Sequence, residues 1–270
     1  MEFQYHYLLL GLVQGLTEFL PVSSSGHLVL FERLLIEGMS SSSQLTVNVA
    51  FHMGTLIAVM AYFKQEILEY CKATVKFICS PKSPFNQVQW EVLMVLLLSL
   101  PTGILGLAMK KGGIESIPTW GVLLALCVTA FICFGIDRIN NRNFSAKKIM
   151  PHHAIILGLV QGIAVVPGIS RSGSTIFAGL LCGFSREKMA SFSFLMSIPA
   201  ITGAFLLECK ELLEMGAQDV HLISLGLGTF VAMLSGYCSL ALLVRLLKGK
   251  KFKIFGFYCL AVAVIGFLGT

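Results

Sequence analysis

Long apolar stretches dominate this sequence of 270 residues and restrict it to one class of fold. An α-helix needs about 20 apolar residues to cross the hydrocarbon core of a bilayer. Six stretches are about that long, namely 45–63, 90–109, 118–136, 190–208, 220–245 and 254–270. Charged residues make up only 13% of the chain, about half of the roughly 25% that is usual in soluble domains. The sequence therefore predicts an all-α polytopic membrane protein, with 1–270 as a single integral membrane domain.

Two further apolar regions, 5–36 and 152–182, are interrupted in the middle by Pro, Ser and Gly. The apolar pieces beside each interruption have only about 11 to 16 residues, which is too few for a spanning helix. Non-helical backbone at membrane depth is tolerated only where protein buries it or where it lines a wet cavity. We therefore predict six transmembrane helices plus two re-entrant helix–loop–helix pairs.

The distribution of lysine and arginine orients the predicted segments. We let each re-entrant pair return to its starting side and each of the six long segments cross the membrane. One side then carries 15 of the 20 Lys and Arg residues and the other carries 4, with Arg171 inside the membrane. Because cytoplasmic loops are enriched in Lys and Arg, the rich side is predicted to be cytoplasmic and both termini to lie outside. The net charge of +6 is explained by these loops, so no nucleic-acid partner is expected.

The two interrupted regions resemble each other. The string GLVQG begins at Gly11 and again at Gly158, and SSSG at Ser23 recurs as SRSG at Ser170, both at an offset of 147 residues. Three predicted crossings separate the copies, and an odd number gives them opposite orientations. We predict an inverted repeat, with repeat 1 at about 5–110 and repeat 2 at about 152–245, whose broken helices meet near the bilayer midplane.

Polar and ionisable side chains are concentrated in these two copies: Gln14, Glu18, Ser23, Ser24, Ser25 and His27 in the first, and Ser170, Arg171, Ser172, Ser174 and Thr175 in the second. An ionisable residue inside a membrane is costly and marks a functional site by default. Arginine offers a planar fork for phosphate oxygens, and a helix that begins after the second loop would add backbone N–H donors. The set therefore suits a substrate with phosphate groups. Ser24 or His27 could attack phosphorus, and Glu18 could act as base or hold a divalent cation.

Each of these residues also has a structural interpretation. Glu18 and Arg171 could form only a buried ion pair between the repeats, His27 could be a satisfied buried histidine, and the serines could cap helices. However, the second copy has Val165 at the position of Glu18 and Ser174 at the position of His27. That asymmetry favours a catalytic role for Glu18 and His27 over a purely structural role. His52, on an apolar segment, is not assigned a direct role.

The strings GLVQGLTEFLPVSSSGHL and PGISRSGST resemble the two signature regions, (E/Q)xxxE and PGxSRSxxT, of the bacterial undecaprenyl-diphosphate phosphatases of the bacitracin-resistance type. The later stretch SFSFLMSIPAITGA also matches, so the resemblance covers nearly the whole chain. It implies hydrolysis of undecaprenyl diphosphate to undecaprenyl phosphate and inorganic phosphate in the bacterial cytoplasmic (inner) membrane. This reaction recycles the lipid carrier for peptidoglycan synthesis and confers bacitracin resistance.

The resemblance also implies roles for individual residues. The predicted catalytic residues are Glu18, Ser24, His27 and Arg171, and the predicted substrate-binding residues are Gln14, Ser23, Ser170, Ser172 and Thr175. Ser24 is the first choice as nucleophile, with His27 as base or as rival nucleophile. A divalent cation, Mg²⁺ or Ca²⁺, is expected, with Glu18 as its leading ligand; Gln14 argues against a mechanism that needs two carboxylates in this helix.

A transporter or lipid flippase is the rival class, because inverted repeats with broken helices fit it equally well. A pure carrier, however, needs a binding site but no pair of acid and nucleophile. The polyprenyl length, the metal, the membrane side from which substrate arrives and the formation of a homodimer are left open by the sequence.

Overall fold

The structure is a computed structural model that describes residues 5–35, 41–79, 86–114, 117–139, 148–215, 221–248 and 251–269. Within these ranges the regular elements are α-helices and no strand occurs. In chain order they are α1 His6–Phe19, α2 Ser24–Leu35, α3 Ser41–Tyr62, α4 Lys64–Cys79, α5 Gln87–Lys111, α6 Thr119–Arg138, α7 Pro151–Ile163, α8 Arg171–Leu181, α9 Arg186–Met215, α10 Leu222–Lys248 and α11 Lys253–Gly269. The all-α prediction is confirmed.

Five of the described helices are long and apolar enough to cross a membrane: Ser43–Tyr62, Gln87–Lys111, Thr119–Arg138, Arg186–Glu214 and Leu222–Leu246. They coincide with five of the six predicted segments, which confirms a multi-pass membrane protein. The last predicted segment, 254–270, forms α11, which has 17 residues, so a sixth crossing stays a prediction. Positions 36, 220 and 270, at the edges of predicted segments, lie outside the described residues, as do some of the counted charges, among them Lys82 and Arg142.

Helix α4 was not predicted from the sequence. It has 16 residues and follows α3 after Phe63 alone. Its exposed side chains include the apolar Leu68 and Val75 as well as the charged Lys72 and Lys76. A search for long apolar runs misses a helix in which charged and apolar residues are interspersed. Such a mixture is typical of helices that lie along a membrane interface.

Four short helices form two pairs, α1 with α2 and α7 with α8. They have 14, 12, 13 and 11 residues, and each is therefore too short to cross a bilayer. The predicted interruptions lie at 20–23 and 164–170, where the backbone turns through left-handed conformations at Ser23 (φ 71°) and Gly168 (φ 97°). The interruptions are thus confirmed, whereas the return of each pair to its starting side stays a prediction.

The two copies pack in corresponding ways. Helix α1 packs along α10, whereas α7 packs along α5, and α3 and α9 lie against each other. A Cβ atom added to Gly11 would lie 2.1 Å from the carbonyl oxygen of Gly228, and one added to Gly158 would lie 2.3 Å from that of Leu98. The first glycine of each GLVQG string therefore allows one helix backbone to touch another. These contacts fix α1 against α10 and α7 against α5.

Candidate active site

The loop between α1 and α2 touches the loop between α7 and α8. The backbone N–H of Gly168 donates to Ser23 Oγ at 3.1 Å, and a Cβ atom on Gly26 would lie 2.8 Å from the Cα atom of Gly168. Residues about 145 positions apart in the chain are therefore brought into direct contact. The two helix breaks therefore meet, whereas their position near the bilayer midplane stays a prediction.

Ser23 and Ser170 cap the helices that follow them. Ser170 Oγ accepts from the backbone N–H of Gly173 at 3.2 Å, and Ser23 Oγ accepts from that of Gly26 at 3.3 Å. These are N-cap contacts at equivalent places in the two copies. The structural interpretation therefore holds for both serines, and their predicted contact with substrate stays a prediction.

The carboxylate of Glu18 is the centre of the site. It is buried, with 8% of the residue exposed, and it accepts hydrogen bonds from three side chains. Arg171 Nη2 donates to Oε1 at 2.5 Å, and Ser24 Oγ and Gln14 Nε2 donate to Oε2 at 2.6 Å and 3.1 Å. Four predicted site residues therefore meet on one carboxylate. The ion pair between Glu18 and Arg171 is therefore present, and the hydroxyl of Ser24 bonds the same carboxylate.

Two buried polar atoms near this carboxylate have no hydrogen-bond partner among the described residues. They are Nη1 of Arg171, a cationic donor, and Oε1 of Gln14, a neutral acceptor. A buried polar atom without a partner costs about 1–3 kcal/mol, so each such atom in a native structure calls for an explanation. An anion beside Arg171 and a cation or donor beside Gln14 would satisfy both.

A narrow crevice opens onto Glu18 and Arg171. Its other lining residues are Phe19, Ser172, Ser193, Phe194 and Ser197. The hydroxyls of Ser193 and Ser197 were missed at the level of sequence, although two serines four positions apart lie on one face of a helix. Thr175 does not line the crevice; its hydroxyl lies 2.6 Å from Ser193 Oγ and bonds the carbonyl of Arg171 at 2.9 Å.

His27 is placed away from the carboxylate. Its Nδ1 atom lies 2.8 Å from the carbonyl oxygen of Ser23, and its Nε2 atom lies 2.9 Å from the hydroxyl of Tyr258 on α11. Both ring nitrogens therefore have partners other than Ser24 and Glu18. The structure brings Ser24 to Glu18 and does not bring His27 to either. No pattern in the sequence pointed to Tyr258.

A second polar cluster lies on α9, about three turns beyond Ser197. His52 Nδ1 lies 3.1 Å from Glu208 Oε2, and Lys110 Nζ lies 2.6 Å from Glu211 Oε2. Glu208 is the last residue of the predicted segment 190–208, so an acid at that position was the available signal. Pairing of this kind reduces the cost of charge within a membrane. The ring of His52 is thus a hydrogen-bond partner of Glu208.

The oxygen atoms around Glu18 are suited to a hard divalent cation. No group of three or more His, Cys, Asp or Glu side chains that could hold a metal occurs in the described ranges. However, Mg²⁺ commonly binds through one or two carboxylates together with substrate phosphates and water. The carboxylate of Glu18 and the unpartnered Oε1 of Gln14 fit such a shared site. They do not fit a cage built of protein ligands alone.

Fold and site together define a multi-pass α-helical membrane protein in which two helix breaks surround a buried carboxylate, guanidinium and hydroxyl. A family model described as "Bacitracin resistance protein BacA" matches residues 7–265, and the chain belongs to this family. It is 39% identical over 264 residues to an undecaprenyl-diphosphatase of Halothermothrix orenii, covering 97% of this chain and 96% of that protein. Undecaprenyl-diphosphatases of Alkaliphilus metalliredigens (37% over 264 residues) and Methanosphaera stadtmanae (36% over 272 residues) are matched over 96% of this chain and 95% of theirs.

Proposed function

We propose that this chain is an integral membrane phosphatase that hydrolyses undecaprenyl diphosphate to undecaprenyl phosphate and inorganic phosphate. The relatives described above are named undecaprenyl-diphosphatase, and each matches this chain over nearly the full length of both proteins. The reaction recycles the lipid carrier for peptidoglycan synthesis, and bacitracin resistance follows from the family. The observation that carries the mechanism is the Glu18 carboxylate, which contacts a serine hydroxyl and a guanidinium at once.

The proposed membrane arrangement has six crossings, with α11 as the sixth, and two re-entrant pairs in an inverted repeat. The short lengths of the paired helices and the corresponding packing of α1 on α10 and α7 on α5 support it. The site then lies near the midplane of the inner membrane, and both termini lie outside. The polyprenyl tail would stay in lipid while the diphosphate enters between the two helix breaks.

Arg171 is proposed to exchange partners when substrate arrives. It is the first residue of α8, so bound phosphate would also face the positive end of that helix. Its Nη1 atom lacks a partner, and a phosphate would receive a bidentate contact if Nη2 left Glu18 as well. Ser172, Ser193 and Ser197 supply further hydroxyls along the crevice.

Departure of the guanidinium would free one oxygen of Glu18. Among the described side chains, Arg171 donates to Oε1, whereas Ser24 and Gln14 donate to Oε2. When Arg171 turns to the phosphate, Oε1 is released and Ser24 stays on the carboxylate. The hydroxyl is thus held in place to give its proton to Glu18 once substrate is bound.

The chemistry then proceeds in two steps. Glu18 takes the proton of Ser24 Oγ, which lies 2.6 Å from the carboxylate, and the oxygen forms a bond to the terminal phosphorus. The bond from that phosphorus to the bridging oxygen breaks, and undecaprenyl phosphate leaves with the proton that Glu18 had taken. Water then attacks the phosphoserine while Glu18 takes one proton of the water. The bond from phosphorus to Ser24 Oγ breaks, Glu18 returns its proton to that oxygen, and inorganic phosphate is released.

The divalent cation is part of the proposal. Glu18 and Oε1 of Gln14 would hold it together with substrate oxygens, and Mg²⁺ or Ca²⁺ bound there would neutralise phosphate charge. Gln14 donates to Glu18 through Nε2 at 3.1 Å and so orients the carboxylate whether or not the cation is bound.

The test is phosphate release from undecaprenyl diphosphate by purified protein in detergent. Glu18→Gln removes the base and should slow release by about 10²- to 10⁴-fold. Glu214→Gln is a matched control, because that carboxylate is exposed and, among the described residues, pairs with Lys210 one turn earlier on α9. Folded wild-type protein that releases no phosphate would contradict the function. A Glu18→Gln rate equal to that of Glu214→Gln would contradict the assignment of the site.

A further inference from the structure

Helix α11 lies outside both predicted repeats, yet one of its side chains reaches the first loop. The hydroxyl of Tyr258 lies 2.9 Å from Nε2 of His27. The two rings are also stacked, with centroids 5.4 Å apart and planes 6° from parallel. Tyr258 is 44% exposed, whereas His27 is only 1% exposed. The tyrosine therefore covers the histidine from the side of α11.

The other contact of His27 determines where its proton sits. A backbone carbonyl can only accept a hydrogen bond, so Nδ1, which is 2.8 Å from the Ser23 oxygen, must carry a hydrogen. In neutral His27 the Nε2 atom then has a lone pair and accepts the hydrogen bond of the Tyr258 hydroxyl. Both nitrogens are thus occupied in holding the loop. Neither has a free position for a reacting group.

The backbone that His27 grips is a strained turn. Ser23 has φ 71°, a conformation that costs energy for any residue other than glycine and persists only where the surroundings enforce it. The two preceding carbonyls also have side-chain contacts: Cys133 Sγ of α6 donates to Pro21 O at 3.3 Å, and Cys259 Sγ of α11 lies 4.0 Å from Val22 O. The Ser23 carbonyl accepts from the backbone N–H of His27 at 3.2 Å as well as from its ring. Three consecutive carbonyls directly before Ser24 are therefore held, the first from α6, the second from α11 and the third by His27.

We propose that Tyr258 is a positioning residue: it holds His27 on the Ser23 carbonyl, and this keeps the hydroxyl of Ser24 on Glu18. In this arrangement His27 positions the backbone of Ser23 and does not itself attack phosphorus. The kinetic consequence rests on the proposed function, whereas the contact itself can be measured without any activity.

The first test compares Tyr258→Phe with Tyr237→Phe, a control on α10 whose ring packs edge-on against Tyr62 of α3. Loss of one neutral hydrogen bond corresponds to about a 3- to 10-fold change, and we expect it in kcat with KM changed less than twofold. The protein has six histidines, so ¹⁵N-histidine labelling gives few signals, and His27→Asn identifies that of His27. In Tyr258→Phe the Nε2 signal of His27 should move toward that of a nitrogen without a hydrogen bond. Wild-type kcat together with an unmoved signal would overturn the proposal.

A second pair of variants separates positioning from direct chemistry. Asn places an amide N–H near the position of Nδ1, and Gln places one near that of Nε2. If His27 acts by holding the Ser23 carbonyl, His27→Asn should keep a kcat at least several-fold above that of His27→Gln. Equal loss in both variants, to the level of Glu18→Gln, would show that the imidazole itself reacts and would overturn the proposal. If wild-type protein releases no phosphate, the proposed function fails, and the labelling experiment still decides the contact with Tyr258.

Discussion

Gly158→Ala is expected to push α7 away from α5. The new Cβ atom would lie 2.3 Å from the Leu98 carbonyl oxygen and 2.6 Å from Cγ of Pro101, and real Cβ atoms essentially never approach closer than 3.0 Å. The helices must therefore separate by roughly 1 Å, a gap that forfeits a quarter to a half of the dispersion energy of each contact. Overpacking of this kind costs about 1–3 kcal/mol. The hydrogen bond from Thr102 Oγ1 to the Gly158 carbonyl, at 3.0 Å, would also lengthen.

The measurement is the thermal unfolding midpoint of the purified protein in detergent. For a chain of this size each kcal/mol shifts Tm by about 2–4 °C, so Gly158→Ala should lower Tm by roughly 2–12 °C. Gly103→Ala is the control, because it lies on α5 with nothing within 4 Å of its added Cβ atom. Gly11→Ala, which meets the Gly228 carbonyl at 2.1 Å, should resemble Gly158→Ala. A Tm of Gly158→Ala equal to that of the Gly103→Ala control would refute the close packing of the helix backbones.

Two further predictions concern the site. Arg171→Lys keeps the charge but loses the planar fork, so phosphate release should fall about 10²- to 10³-fold, as for other lost contacts to a transition state; a rate within twofold of wild type would contradict the bidentate role. Removal of divalent cations by EDTA should abolish release and Mg²⁺ should restore it, and Gln14→Ala should raise the half-saturating Mg²⁺ concentration because Oε1 is lost as a ligand. An unchanged Mg²⁺ dependence in Gln14→Ala would show that this amide does not bind the cation.

Local sequence patterns predicted much of the helix framework. The spans at 45–63, 90–109 and 118–136 differ from the observed helices by only a few residues at each end, because helix formation in a bilayer depends mainly on a continuous apolar run. The two interruptions were predictable for a related reason. Proline has no backbone N–H and disfavours helix in the residue before it, and Pro21 and Pro167 lie in the turns after α1 and α7. Pro101 and Pro199, however, lie inside α5 and α9, so the Ser and Gly residues beside Pro21 and Pro167 were a necessary part of the signal.

Patterns that depend on tertiary packing were less visible. Helix α9 extends over Arg186–Met215, well past the predicted 190–208, because its charged ends are stabilised by partners elsewhere. Arg186 at its start bonds the Ile136 carbonyl of α6 at 2.6 Å, and Glu211 near its end pairs with Lys110 of α5. A hydropathy pattern records the charges at these ends but not the partners that stabilise them.

The sequence by itself determined the class of protein, the places where helices break and the set of candidate site residues. All three depend on composition and short-range patterns, since an apolar run, a proline and an intramembrane acid constrain the fold locally. Only the tertiary structure decided how those groups are used. From the sequence, either Ser24 or His27 could have contacted Glu18. In the structure His27 instead bonds Tyr258 of α11, 231 residues further along the chain, and Ser24 contacts the carboxylate. The physical reason is that a hydrogen bond depends on the rotation of each helix about its axis, which the packing of the whole chain sets.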